Sequence, residues 1–137
     1  MDAKPPDVVL LGSEWLDRAL LRAQLIEEGW DVVAIETWPM PRLYRRSDMK
    51  PRAMVIDLRG LPEPRAVLDE VRVVLPPDRV LVLMALGSIS EDEVRRQGFR
   101  VIERPATVGD VVAAVATILR TDTRQDRTDP RQRDRTD

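Results

Sequence analysis

Three short apolar runs constrain this chain more than any other feature. DVVLL (7–11), AMVID (53–57) and RVLVLMAL (79–86) carry no polar residue among their apolar members. A strand with one wet face alternates apolar and polar side chains, whereas an unbroken run predicts a strand covered on both faces. WDVVAIE (30–36) and FRVIE (99–103) read as two further strands, the second more polar and placed at an edge.

Helical patterns fill the gaps. In 13–29 the apolar residues Leu16, Ala19, Leu20, Ala23 and Ile26 recur at three- and four-residue steps, with Ser13 placed as N-cap and Gly29 as stop. Pro62 and Pro64 open a helix with the stripe Val67, Leu68, Val71, Val74 and Leu75, which Pro76-Pro77 ends. Ser90 and Glu93 form a capping-box pattern for a helix that stops at Gly98. The last helix carries Val108, Val111, Val112, Val115, Ile118 and Leu119, with Thr107 and Asp110 at its start. Strands alternating with helices predict an α/β chain, a three-layer doubly wound sheet of five parallel strands. Residues 38–52, WPMPRLYRRSDMKPR, interrupt the pattern; a helix of about two turns is expected there, within a basic piece.

These boundaries divide the chain into an N-terminal extension (1–6), one domain (7–120) and a tail (121–137). The tail has no apolar residue except Pro130 and nearly repeats itself, so it is expected to be disordered and solvated. A length of 137 residues at 43% hydrophobic supplies one core. The net charge of −2 gives no general attraction to nucleic acid or anionic lipid. No cysteine and no histidine is present, which excludes disulfides, thiolate metal sites, Ser–His–Asp catalysis and any histidine phosphate relay inside the chain. No apolar run is long enough for a membrane span and no secretory signal is visible, so a cytoplasmic location is expected.

In open parallel sheets, sites lie at the carboxyl ends of the strands. Those ends hold Gly12, Ser13 and Glu14; Asp57 to Arg59; Met84 to Gly87; and Arg104 with Pro105. Asp57 stands out, because a carboxylate at the end of a buried strand is costly unless something neutralises it. Arg104 offers a planar fork suited to it, and Arg59 is a second candidate. Ser13 and Ser90 read as helix caps, Glu91-Asp92-Glu93 as an acidic first turn favoured by the helix dipole, and Trp15 and Trp30 as packing residues. The basic piece with Trp38 and Tyr44 reads as a shortened crossover, and contact with nucleic acid is not expected.

In this order of elements the chain resembles the receiver domain of response regulators, the CheY-like family, over about residues 7–120. The resemblance rests on the apolar first strand, the helix ending in LIEEGWDVVAIE, the third strand ending in Asp57, the apolar fourth strand, and a basic residue followed by proline after the fifth. It implies the flavodoxin-like receiver fold with strand order 2-1-3-4-5. Receivers hold Mg²⁺ with an acidic pair after the first strand and accept a phosphoryl group on an Asp after the third. They contact it with a Thr or Ser after the fourth and a Lys after the fifth, and read it out with an aromatic on the fifth.

Carried over residue by residue, the pattern is degenerate. Asp57 matches the acceptor. The acidic pair falls on Gly12 and Ser13, with Glu14 following; the Thr/Ser position falls on Met84, the aromatic on Val101, and the Lys on Arg104, with Pro105 behind it as a candidate cis-proline. The loop after Asp57 is one residue longer than usual. The resemblance then implies a stand-alone pseudo-receiver, not an enzyme, that works by protein contact in bacterial-type signalling without phosphorylation or a cofactor. The partner would be a signalling protein, met through the fourth helix, fifth strand and fifth helix, where Glu91, Glu93, Arg95, Arg96 and Arg100 lie. A second copy of the chain is one candidate for that face. The alternative is a phosphorelay regulator that accepts phosphate on Asp57 from a histidine kinase, with Mg²⁺ as cofactor.

Overall fold

The computed structural model describes residues 5–12, 15–36, 38, 50–103 and 106–127, with the backbone alone at 15–17 and 122–127. Strands β1 (Val8–Leu11), β2 (Val32–Ile35), β3 (Ala53–Asp57), β4 (Val80–Leu83) and β5 (Arg100–Ile102) alternate with helices α1 (Trp15–Glu27), α2 (Pro64–Val74), α3 (Glu91–Arg96) and α4 (Val108–Arg127). The strands pair in parallel in the order β2-β1-β3-β4-β5, the order the sequence led us to expect. Apart from Trp38 and residues 50–52, the segment where a further helix was expected lies outside the described residues.

The unbroken apolar runs are central because each strand is buried on both faces. Every residue of β1, β3 and β4 is buried. Alternate side chains feed two cores. Val9, Leu11, Met54, Ile56, Val80 and Val82 pack under α2 and α3, with Leu68, Val71 and Val94 above them. Val8, Leu10, Val55, Leu81 and Leu83 pack under α1 and α4, with Leu25, Val115 and Leu119 above them. The half-buried β5 lies at the edge, as its polarity indicated.

Caps fix where the helices begin and end. The Ser90 hydroxyl accepts the Glu93 N–H at 3.2 Å. Thr107 and Asp110 exchange side chain-to-backbone bonds of 2.9 and 3.0 Å. Gly29 and Gly98, at φ 98° and 97°, end α1 and α3 in a conformation open to glycine. At the amino pole of the sheet, Arg52 ties the layers together. It pairs with Asp7 at 3.4 Å, donates to the Leu119 carbonyl at 3.2 Å, and lies 5.6 Å from the centre of the Trp30 ring.

Two expectations change. The stripe read on α1 faces outward: Leu20 and Ile26 are about half exposed and Ala19 and Ala23 are exposed, while Leu21 and Leu25 are buried. Apolar residues lie on two sides of this helix, and the pair of leucines four residues apart fits the sheet more fully than the alanine-rich side. The last helix also runs past the expected boundary at 120, to Arg127. Nothing in 121–127 breaks a helix, and Pro130 is the first residue that does. Residues 128–137 and 1–4 lie outside the described residues.

The facing of α1 gives a direct test. Leu25→Ala is expected to cost about 2–5 kcal/mol, and Ile26→Ala less than about 1 kcal/mol, in chemical denaturation. The reverse order would restore the outward stripe as the core face.

Candidate functional site

Asp57 ends β3 at the carboxyl edge of the sheet, opposite Leu83 in register, with its side chain 12% exposed. The chain then turns. Leu61 N–H bonds to the Leu58 carbonyl at 3.2 Å, and Gly60 takes φ 69°. The turn folds Arg59 back on Asp57. The Arg59 amide donates to Oδ1 at 3.0 Å, a local turn in which a carboxylate accepts from the backbone two residues on. The Arg59 guanidinium donates to the same carboxylate, Nη2 to Oδ2 at 3.1 Å and Nε to Oδ1 at 3.4 Å. Both oxygens of Asp57 are therefore engaged by one neighbouring cation. Arg104, the first candidate for this pairing, lies with Pro105, Ser13 and Glu14 outside the described residues; the fork the structure supplies is Arg59.

Gly12 follows β1 and lies directly against Asp57. A Cβ at position 12 would stand 3.1 Å from the Asp57 Cβ, tighter than ordinary contact. The Gly12 carbonyl accepts a 2.9 Å bond from Nη1 of Arg18 on α1. Arg18, whose side chain is 15% exposed, also reaches Glu36 at 3.5 Å. The sequence reading missed Arg18. No sequence signal separated it from Arg22 one turn on, because the facing of the helix was read the other way.

Met84 and Val101 are not placed with Asp57 and Gly12 on one face of the sheet. Both are half-buried and pack into the core under α2 and α3, on the opposite face of the sheet. The period of two decides this: Asp57 shares a face with Val55, while Met84 shares one with Val82. The Met84 amide bonds to the Ile102 carbonyl at 3.2 Å and extends the pairing of β4 with β5.

Two depressions open at this pole. A cavity of about 90 Å³ lies between the sheet, α1 and α4, reached by Asp57, Arg18 and Thr107. A broad depression of about 930 Å³ separates the loop after β3 from the loop after β4, with Arg59 and Leu61 on one side and Leu86 and Ser88 on the other. Leu86 is fully exposed. The Ser88 hydroxyl is buried with no hydrogen-bond partner among the described residues. Among the described residues no group of three or more acidic, histidine or cysteine side chains could hold a metal, and no helix is long and apolar enough to cross a membrane.

The charges expected to form a contact face are largely engaged within the fold. Glu93 receives a two-pronged bond from Arg65 of α2, at 2.7 and 2.9 Å. Glu91 pairs with Arg95 one turn on, and Arg100 donates to the Asp78 carbonyl at 2.8 Å. The hydrogen bonds from Arg65 hold the Glu93 carboxyl below its usual range. Hydrogen bonds from Arg95 and then Glu103 hold Glu91 low, and its bond to Glu91 raises Glu103.

Removing one member of the buried pair should show whether Arg59 neutralises Asp57. Arg59→Gln is expected to destabilise by about 1–3 kcal/mol, at the modest end because the guanidinium is one-third exposed. Adding Asp57→Asn should recover most of that loss; strict additivity in the double-mutant cycle would deny the coupling. Glu93 supplies a pH test. Its folded-state value is depressed, so its contribution is complete above the unfolded value near 4.5 and is lost as pH falls through the folded value. Glu103, raised, works in the opposite sense: its contribution is complete in acid and lost as pH rises through the folded value. Glu93→Gln should therefore flatten the acid limb of a stability-versus-pH curve, and the gap from wild type should shrink in high salt.

No protein-family model and no curated protein matches the sequence. Solved structures do. The signal receiver domain of a putative LuxO repressor protein from Vibrio parahaemolyticus superposes with a TM-score of 0.66 at 24% identity, covering 89% of this chain and 95% of that one. A response regulator receiver domain protein from Clostridium thermocellum gives 0.66 at 14% identity, covering 85% and 95%. A structure described as adenylate cyclase from Rhodopirellula baltica gives 0.65 at 19% identity, covering 86% and 93%. With its strand order and the aspartate at the end of β3, the chain has the fold of a response-regulator receiver domain.

Proposed function

We propose that this chain is a pseudo-receiver: a signalling module that binds a partner protein and does not depend on phosphorylation of Asp57. The observation that carries the reading is the Asp57–Arg59 fork, which holds both carboxylate oxygens that a phosphoryl donor and a metal would need. The described residues do not fit Mg²⁺, a hard ion that takes oxygen ligands in near-octahedral geometry. Gly12 brings no side chain, and its carbonyl already accepts from Arg18. Met84 offers a thioether, half-buried against the opposite core, where a phosphate contact needs a donor. Val101 supplies no aromatic ring to report a change at the site.

The likeness to receiver structures supports a signalling role, and the surface supports protein contact. Leu86 stands fully exposed beside the broad depression, next to α3, whose Asp92 and Arg96 are exposed. The proposed contact surface runs from the Leu86 loop onto α3 and the β5 edge.

Backbone-amide NMR tests the reading. Mg²⁺ is added first, then beryllofluoride, a mimic of the phosphoryl group on aspartate. No saturable shift at Gly12, Leu58 or Arg59 is expected. Shifts that saturate there would make Asp57 a working phosphoacceptor and the chain a phosphorelay regulator.

A further inference from the structure

The cavity of about 90 Å³ beside Asp57 has no part in the reading above. Its walls come from one face of the sheet and the two helices over it. Val55 and Leu83 form the floor, Leu21 of α1 and Val111 of α4 the sides. The polar groups converge at the carboxyl end: Asp57, Arg18 and the start of α4. An apolar chamber with a few convergent polar groups, at the carboxyl end of a parallel sheet, is the usual form of a small-molecule site.

The charges define what such a molecule would carry. Arg59 pairs with Asp57 at 3.1 Å. Arg18 is left with the Gly12 carbonyl at 2.9 Å and a long 3.5 Å contact to Glu36, whose side chain is 67% exposed. A guanidinium has five N–H donors, so Arg18 keeps unused donors in a place where its side chain is only 15% exposed. An anion there would accept charge-assisted bonds, which are stronger than neutral ones. The first turn of α4 is already capped by Asp110 and Thr107, so Arg18 is the group that would hold the charge. A cation would meet Arg18, and a neutral molecule would leave its donors unused.

Size sets the rest. An apolar cavity of about 150 Å³ accepts benzene, so about 90 Å³ suits a body of roughly four carbons. We infer that this cavity binds a small monocarboxylate, with its short apolar body between α1 and α4 and its carboxylate on Arg18. Gly12 lines the cavity beside Asp57. This inference stands on the cavity and on Arg18, and it does not require that Asp57 be silent.

The probe is butyrate, compared with 1-butanol and butylamine, followed by methyl and amide NMR on the full chain. Butyrate is expected to give saturable shifts at Gly12, Leu21, Leu83 and Val111. 1-Butanol should bind at least about tenfold more weakly, the loss of one charge-assisted contact, and butylamine should give no saturation. Arg18→Gln should remove the preference for butyrate over 1-butanol. Val108→Phe, at the half-buried first position of α4, should block butyrate and 1-butanol alike while leaving the fold intact by its amide spectrum. Equal binding of butyrate and 1-butanol, or saturation that survives both substitutions, would overturn the inference, as would no saturation at all. A saturable response to Mg²⁺ and beryllofluoride with normal butyrate binding would overturn the pseudo-receiver reading and leave this one standing.

Discussion

A carboxylate at the end of a fully buried parallel strand has to be neutralised close by, and among the described residues a cation that does so is two residues away. Asp57 is held by the amide and the guanidinium of Arg59, so the same turn that leaves the sheet also closes the charge. The arrangement needs a short loop with Gly60 at positive φ and little else. Such a pair is weak evidence for added stability, since removing both charges is often neutral. Its effect is on what else can happen at this edge. An oxygen that accepts from a fixed cation is less available to a metal or a phosphoryl group, and Gly12 beside it brings no second carboxylate.

The two-faced burial of β1, β3 and β4 determines where every other site position points. Residues of one parity look toward α1 and α4, those of the other toward α2 and α3. Gly12, Asp57 and Leu83 share a side and form the cavity edge. Met84 and Val101 fall on the other and become core residues. A receiver-like line-up of positions along the sequence therefore separates, in space, into a group around the carboxylate and a group that merely packs.

Much of this was legible in the sequence. Unbroken apolar runs gave strands buried on both faces, their alternation with helical stripes gave the doubly wound sheet, and Ser90, Thr107, Asp110, Gly29 and Gly98 marked helix ends where the structure has them. The carboxylate at the end of β3 and its need for an arginine were readable too, with Arg59 already a candidate. What was not readable followed from degeneracy. α1 has apolar residues around most of its circumference, so periodicity alone could not choose Leu21 and Leu25 over Leu20 and Ile26. Arg18 looked like an ordinary surface cation, because only the folded backbone brings the Gly12 carbonyl to it. The end of α4 was misjudged because a charged composition was taken for a stop signal, when no residue before Pro130 breaks a helix.

Arg52 has a consequence at the far end of the molecule. By joining Asp7, Trp30 and the end of the Leu119 turn, it fastens the amino pole, where no candidate site residue lies. The site sits at the other pole, on loops that contribute little to that fastening. Work is thus divided between a pole that keeps the fold and a pole that can be rewritten. Gly12, Asp57 and Arg59 stand at the second pole, on a sheet whose order does not depend on them. A fold fastened at one pole leaves the chemistry of the other pole to the loops that end its strands.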